Sequence, residues 1–179
     1  MSDVWSGAYL RRLSGEGRYF SNCDNLALAI STDGVPLFKS SNISLWPVYF
    51  TVLNLPPAIR MNAENVLMAW LWYGKKPPMK HLLSPIMESL SQFSTLGISI
   101  STSHGLVTYR TKLVMGIFDL IAKRDVLCTK QFNGKYGCSV CLNPGTLISR
   151  NTRAYLPGHF ELRTHHSVIT AAKEAEHTG

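Results

Sequence analysis

Leu26-Ala-Leu-Ala-Ile-Ser-Thr32, halted by Asp33-Gly34, decides how the chain is read. A short apolar run stopped by a turn dipeptide has the pattern of a buried strand followed by a sharp exit. A second such run, Thr111-Lys-Leu-Val-Met-Gly-Ile-Phe118, ends in Asp119. Two strands that each end in a lone carboxylate set the frame for everything between them. Each aspartate also has a plain reading: Asp33 as part of an Asp-Gly turn, and Asp119 as the N-cap of a helix starting at Leu120.

Between these runs, Ser44-Leu-Trp-Pro-Val-Tyr-Phe-Thr-Val-Leu53 is aromatic and β-branched, as strands are. Pro47 confines that strand to an edge, or itself to the strand's start. Asn65-Val-Leu-Met-Ala-Trp-Leu-Trp-Tyr73 is too short for periodicity to choose between strand and helix. From Met79 to Leu96, apolar residues at 79, 82, 83, 86, 90 and 93 follow helical spacing. Pro85 implies a fresh start or a kink, and Gly97 a stop. Ile98–Ser101 and Leu106–Tyr109 read as a hairpin around Ser103-His104-Gly105, and Leu120–Cys128 as a short helix.

The order strand, strand, strand or helix, helix, strand, helix is that of an α/β domain with a ribonuclease-H-like mixed sheet and flanking helices. In that arrangement the acids ending the first and fourth strands sit on adjacent central strands. The expected organisation is a lead-in over residues 1–25, a core over 26–129, a zinc-binding insertion over 130–166, and the start of a C-terminal helix over 167–179.

Residues 130–164 are rich in Gly, Asn, Pro and Arg and lack periodicity, so something other than an apolar core must order them. Cys138-x2-Cys141 is followed after 17 residues by His159, and after five more by His165. That is close to a Cys2His2 zinc spacing. The alternative is two free thiols in a loop with unrelated histidines. A redox dithiol fits poorly, because Cys138 does not open a helix after a strand. Among the histidines His165 leads and His159 follows, with His166 competing for either place. His81 and His104 read as surface residues, and Cys23 and Cys128 as small buried or half-buried ones.

The chain has 179 residues, 45% of them hydrophobic, enough for one substantial core. The net charge of +7 is concentrated: Arg110 to Arg163 holds nine Lys/Arg against Asp119, Asp125 and Glu161. A phosphate-facing basic half accounts for this, and so does a solubilising surface. No apolar run is long enough to span a membrane, and the first residues lack a secretory signal. Without such a signal the Asn42-Ile43-Ser44 sequon carries nothing, and four cysteines in this length fit a reducing compartment.

Several stretches in order resemble the transposase domain of CACTA-type (En/Spm-like) DNA transposons. They are Thr32-Asp-Gly-Val-Pro-Leu-Phe-Lys-Ser-Ser41, Leu45-Trp-Pro-Val48, Leu55-Pro-Pro-Ala-Ile-Arg60 and Leu71-Trp-Tyr-Gly-Lys-Lys-Pro77. Phe118-Asp-Leu-Ile-Ala-Lys123, Lys130 to Gly145 and Leu162-Arg-Thr-His165 continue the series. The similarity runs over residues 20–178. It implies a ribonuclease-H-like DDE/D transposase of the nucleus that cuts and joins DNA with Mg2+ or Mn2+ and self-associates. Asp33 and Asp119 would be its first and second acids. It also implies Cys138, Cys141 and His165 as ligands of a structural Zn2+, with His159 of Tyr155-Leu-Pro-Gly-His159 as the fourth.

Family members continue beyond a point like Gly179, and their third acid lies in that continuation. The expectation is therefore a C-terminally incomplete catalytic domain, inactive alone. Glu64, Glu88, Glu161, Glu174 and Glu176 are the acids left in this chain, and none ends an obvious element facing the other two. A rival expectation is a domesticated, non-catalytic zinc-bearing module that binds DNA or protein. Another is an unrelated zinc-stabilised interaction protein.

Overall fold

A computed structural model describes residues 3–38, 43–150 and 152–178; Asn42 of the sequon and Gly179 lie outside them. The chain divides into two compact units, Met1–Phe118 and Asp119–Gly179.

In the first unit the polar lead-in forms two 3-10 turns around a short helix, α1 (Ala8–Ser14). Next come β1 (Asn25–Thr32), β2 (Val35–Pro36), β3 (Ser44–Val52), α2 (Pro57–Arg60) and β4 (Val66–Gly74). The unit is completed by α3 (Met79–Thr95), β5 (Ile98–Thr102) and β6 (Gly105–Ile117). The six strands form one mixed sheet. β1 is central, antiparallel to β3 and parallel to β6. β4 pairs with β3 along the edge opposite β1 and β2.

The ladder between β1 and β3 pairs Thr32 with Val48, and the ladder between β2 and β3 pairs Val35 with Leu45. Both keep the same register, so β1 and β2 are one line of chain interrupted at Asp33-Gly34. Opposite the interruption stands Pro47, which has no N–H to offer either neighbour. Pro47 is thus in mid-strand rather than at a start or edge, and the break opposite accommodates it. The ambiguous stretch 65–73 is a strand. Pairing with β3, a non-local contact, settles what its composition left open.

Where a hairpin strand and a separate strand were expected, β6 is a single 13-residue strand. Gly105–Tyr109 pairs with β5 and Arg110–Ile117 with β1, so the polar stretch Tyr109-Arg110-Thr111 is a change of partner rather than a loop.

The faces of β1 divide the core. Ala27 and Ala29 are fully buried with Leu53 against Val4, Trp5, Phe20 and Val114. Their small side chains leave room for the edge-to-face pair Trp5–Phe20, whose centroids are 5.5 Å apart. On the alternate positions Leu28 and Ile30 are buried, as are Val48 and Phe50 of β3. α3 packs on β6 and buries Met79, Leu82, Ile86 and Leu90, at about 1.5–3 kcal/mol for each large side chain. It runs through Pro85 as one helix.

The lead-in is tied down by Arg60, which is buried and forks onto both carboxylate oxygens of Asp3 at 2.8 Å. Arg60 also donates to the carbonyls of Leu53 and Leu55. Its guanidinium, with the Val4 amide, holds the Asp3 carboxyl below the ordinary carboxylate value.

The second unit contains α4 (Leu120–Leu127), a hairpin of β7 (Thr146–Ser149) and β8 (Thr152–Ala154), and α5 (His165–Thr178). Its remaining chain is irregular. Cys128 ends α4 in a left-handed conformation, and both it and Cys23 are exposed, not buried as expected. Each sits in a turn beyond an element's end, open to solvent.

Candidate functional site

The parallel register of β1 and β6 places Ser31 opposite Ile117. The chain reaches Asp33 two residues after the first and Asp119 two residues after the second. Both aspartates are exposed. Asp33 accepts from the Gly34 amide through Oδ1 at 2.7 Å, which is the Asp-Gly turn. Asp119 caps α4, its Oδ1 accepting from the Ala122 amide at 2.6 Å. In each, the second carboxylate oxygen has no partner among the described residues. A carboxylate with one oxygen fixed and one open can serve as a terminal ligand of a hard cation, so both fit Mg2+ or Mn2+.

What holds Asp33 in place is an unusual contact. A Cβ built on Gly34 would lie 2.5 Å from Cζ2 and 2.7 Å from Cε2 of Trp46. The indole therefore lies flush on the Gly34 backbone, at the ladder position directly opposite. Trp46 is 8% exposed, and its buried N–H has no partner among the described residues. That unsatisfied donor costs about 1–3 kcal/mol, so the ring's packing on Gly34 must outweigh it.

In the second unit the Cys138 and Cys141 sulfurs are 3.5 Å apart. Two thiolates bound to one tetrahedral zinc at about 2.3 Å would stand about 3.8 Å apart, so the pair fits such an ion. The Val140 amide, aimed at the Cys138 sulfur from 3.4 Å, and then the Cys141 amide hold this thiol below its ordinary value. The Arg163 guanidinium acts in the same direction. The loop beneath is tight. A Cβ on Gly137 would meet the Gln131 carbonyl at 2.3 Å and the Tyr155 hydroxyl at 2.7 Å. Tyr155 accepts from the Gly137 amide at 2.9 Å and donates to the Gly134 carbonyl.

The histidines are not gathered onto the thiols. Among the described residues no group of three or more His, Cys, Asp or Glu stands ready to hold a metal. What the structure does bring to the knuckle is the chain that carries them. Cys141 forms an antiparallel bridge with Leu162. The Leu142 amide donates to Glu161, and the Arg163 amide to Val140. The Arg163 side chain reaches the carbonyls of Cys138 and Tyr136 at 3.0 and 2.8 Å. His159 is two residues before this tie and His165 two residues after it.

Thr164 and Ser167 exchange side-chain and backbone hydrogen bonds in a capping box, so His165 and His166 open α5. Both are exposed, as is His159. Sequence reasoning missed Trp46, Tyr155 and Arg163. The one available signal was Arg163 beside His165, a cation next to a predicted thiolate pair.

These features describe a mixed α/β chain with Asp33 at the end of a central strand of the first unit, and with Asp119 at the start of α4 and a two-thiol knuckle in the second. Residues 10–175 match the model of transposase family tnp2, and the chain belongs to that family. No curated protein matches it. Membership supports a transposase-related role with DNA as the partner class. No helix among the described residues is long and apolar enough to cross a membrane.

Proposed function

We propose that the chain is the core of a CACTA-type, metal-dependent DNA transposase acting in the nucleus, with a ribonuclease-H-like sheet. The observation that supports it most is the parallel pairing of β1 with β6, β1 followed immediately by Asp33 and β6 two residues later by Asp119. Bound Mg2+ or Mn2+ would polarise the scissile phosphate and activate a water or 3′-hydroxyl. Asp33 and Asp119 would each present the oxygen left open by its backbone hydrogen bond. The basic residues between Arg110 and Arg163 would face the phosphates. Cys138, Cys141, His159 and His165 would hold a structural Zn2+, with the Glu161–Arg163 tie drawing the histidine-bearing chain inward.

Sites of this kind use a third acid, and among the described residues no group of three such side chains includes Asp33 or Asp119. The isolated chain is therefore expected to bind cation without turnover. The test is Mn2+ titration followed by NMR. The side-chain signals of Asp33 and Asp119 should broaden together at the same low Mn2+ level. Broadening of one alone, or of neither, would remove the shared-cation reading. A nicking assay with Asp33→Ala adds a check: equal activity in variant and parent excludes catalysis by this site.

A second reading, a non-catalytic DNA- or protein-binding module, is favoured by the structural use of one oxygen of each aspartate. It predicts salt-dependent DNA binding that survives loss of Asp33 and Asp119 but not of Cys138.

A further inference from the structure

Three pairs of adjacent basic residues occur in the chain: Arg11-Arg12, Lys75-Lys76 and Lys123-Arg124. Only the first has a hydroxyl two residues behind it, in Arg11-Arg12-Leu13-Ser14, and neither the acids nor the thiols account for it. Guanidiniums three and two positions before a serine suit the carboxylate-lined cleft of an arginine-selecting protein kinase, because each planar fork pairs with a carboxylate.

Ser14 is the last residue of α1 and is exposed, as are Arg11 and Arg12. Neither guanidinium has an ion-pair partner among the described residues, and that of Arg12 lies over the Tyr9 ring at 5.7 Å. The chain leaves the helix at once. Gly15 is extended, and Gly17 is left-handed with nothing within 4 Å of a Cβ built on it.

A kinase takes its acceptor in an extended segment, so the residues before Ser14 have to unwind. α1 has seven residues, no side-chain cap at its start and one buried residue, Leu10. A helix this short is held by packing rather than by its own turns. Opening the last turn, beyond Leu10, leaves that packing and the Asp3–Arg60 clamp in place. Ser21 also has an arginine, Arg18, three residues before it and is also exposed. It closes a 3-10 turn in which the Tyr19 and Phe20 rings meet edge to face at 5.0 Å, with Phe20 packed on Trp5. Extending that turn would break core packing, whereas extending the chain at Ser14 would not.

We propose that Ser14 is a phosphorylation site for a protein kinase that reads Arg11 and Arg12. The Ser14 Oγ attacks the γ-phosphorus of ATP, the bond to the ADP leaving group breaks, and the hydroxyl proton passes to a carboxylate of the kinase. Ser14 Oγ donates to the Leu10 carbonyl at 2.9 Å, and the phosphate ester has no proton left to donate there. The ester also places negative charge at the negative end of α1. Both effects open the last turn. Residues 9–18 hold three arginines against Glu16, and a phosphate of about −1.5 to −2 charges cancels that excess. The proposal goes beyond the DNA reading and does not depend on it.

The test incubates the full chain with ATP and a purified kinase selective for arginine two and three residues before its acceptor. The phosphate is then mapped by mass spectrometry. It is expected at Ser14, absent from Ser14→Ala and retained in Ser21→Ala. Arg11→Ala/Arg12→Ala should slow incorporation about tenfold or more, through the lost charge-assisted hydrogen bonds. In the phosphorylated chain the NMR Cα shifts of Arg12, Leu13 and Ser14 should move to coil values. The Trp5 indole N–H, bound to the Leu53 carbonyl, should not move.

Phosphate at Ser21 instead, none at Ser14, or an unchanged rate in the double-alanine variant overturns the site. Helical shifts kept after phosphorylation overturn the opening of α1. Mapping on the parent chain needs no substitution, so it decides the site even where a variant unfolds the lead-in.

Discussion

Asp33 stands opposite Pro47 in the antiparallel register, at the first of the two positions where the line formed by β1 and β2 leaves β3. An imino residue cannot complete a ladder rung, and the residue facing it is the one whose carboxylate is turned out to solvent. Gly34, one step on, is closed over by Trp46. The exposed acid is thus a product of its neighbours across the sheet as much as of its own turn.

Gly34→Ala should destabilise the first unit by about 1–3 kcal/mol, since the added methyl meets a buried ring rather than a flexible chain end. Trp46→Leu in the same chain should relieve much of that cost, and a double-mutant cycle in urea measures the coupling. Independent, additive effects would show that the indole does not seat the turn.

Asp119 carries two duties that can be separated. Asp119→Ala should lose about 1 kcal/mol through the missing cap of α4, while Asp119→Ser keeps the cap and stability. Both should abolish Mn2+ broadening if the second oxygen is the cation ligand. Retained broadening in Asp119→Ser would confine this residue to helix capping.

The lead-in should respond to acid. Arg60 depresses the folded-state pKa of Asp3, so the pair's stabilisation is fully present above the ordinary carboxylate value near pH 4 and is lost as pH falls through the lower folded value. Arg60 is shifted upward, so its share persists across the whole workable range. Melting of parent and Asp3→Asn should therefore differ at neutral pH, the gap narrowing once pH falls below about 4 and closing below the folded value. A constant gap down to pH 2 would refute the linkage.

Metal content tests the knuckle. Protein purified without chelators should carry about one zinc per chain, and Cys138→Ser should abolish it. In the metal-free chain Cys138 should be alkylated ahead of the exposed Cys23 and Cys128, because its thiol is shifted down by the amides aimed at it. Added zinc should protect it. Tyr155→Phe leaves the thiols in place but removes the bridge from Gly137 to Gly134, and should weaken zinc binding about tenfold or more.

The legible parts of the fold were those whose signal is local. β1, β3 and α4 announce themselves by composition and by a stop residue. Both plain readings of the aspartates, turn and cap, are present in the structure alongside the open oxygens. β6 was split in two because Arg110 interrupts its run between Tyr109 and Thr111, and only the switch of partner from β5 to β1 explains why the strand continues.

Trp46 on Gly34 and Arg163 on the Cys138 carbonyl were illegible for the same reason. Each joins residues separated by a dozen positions or more, through contacts that leave no spacing in the sequence. Placing Cys23 and Cys128 in buried or half-buried positions failed because thiol burial follows from what packs over a turn, and both turns leave the thiol exposed.

The bridge between Cys141 and Leu162 also sets how freely this protein can change length. It closes residues 142–161 into a loop pinned at its base, with the β7–β8 turn at its outer end. Each doubling of such a loop costs only about 0.6 kcal/mol in closure entropy. Insertions at that turn should leave both the knuckle and α5 where they are. Relatives of this chain can therefore differ most at the hairpin tip and least at its root, and a tag or reporter peptide spliced in at the tip would leave the thiols undisturbed.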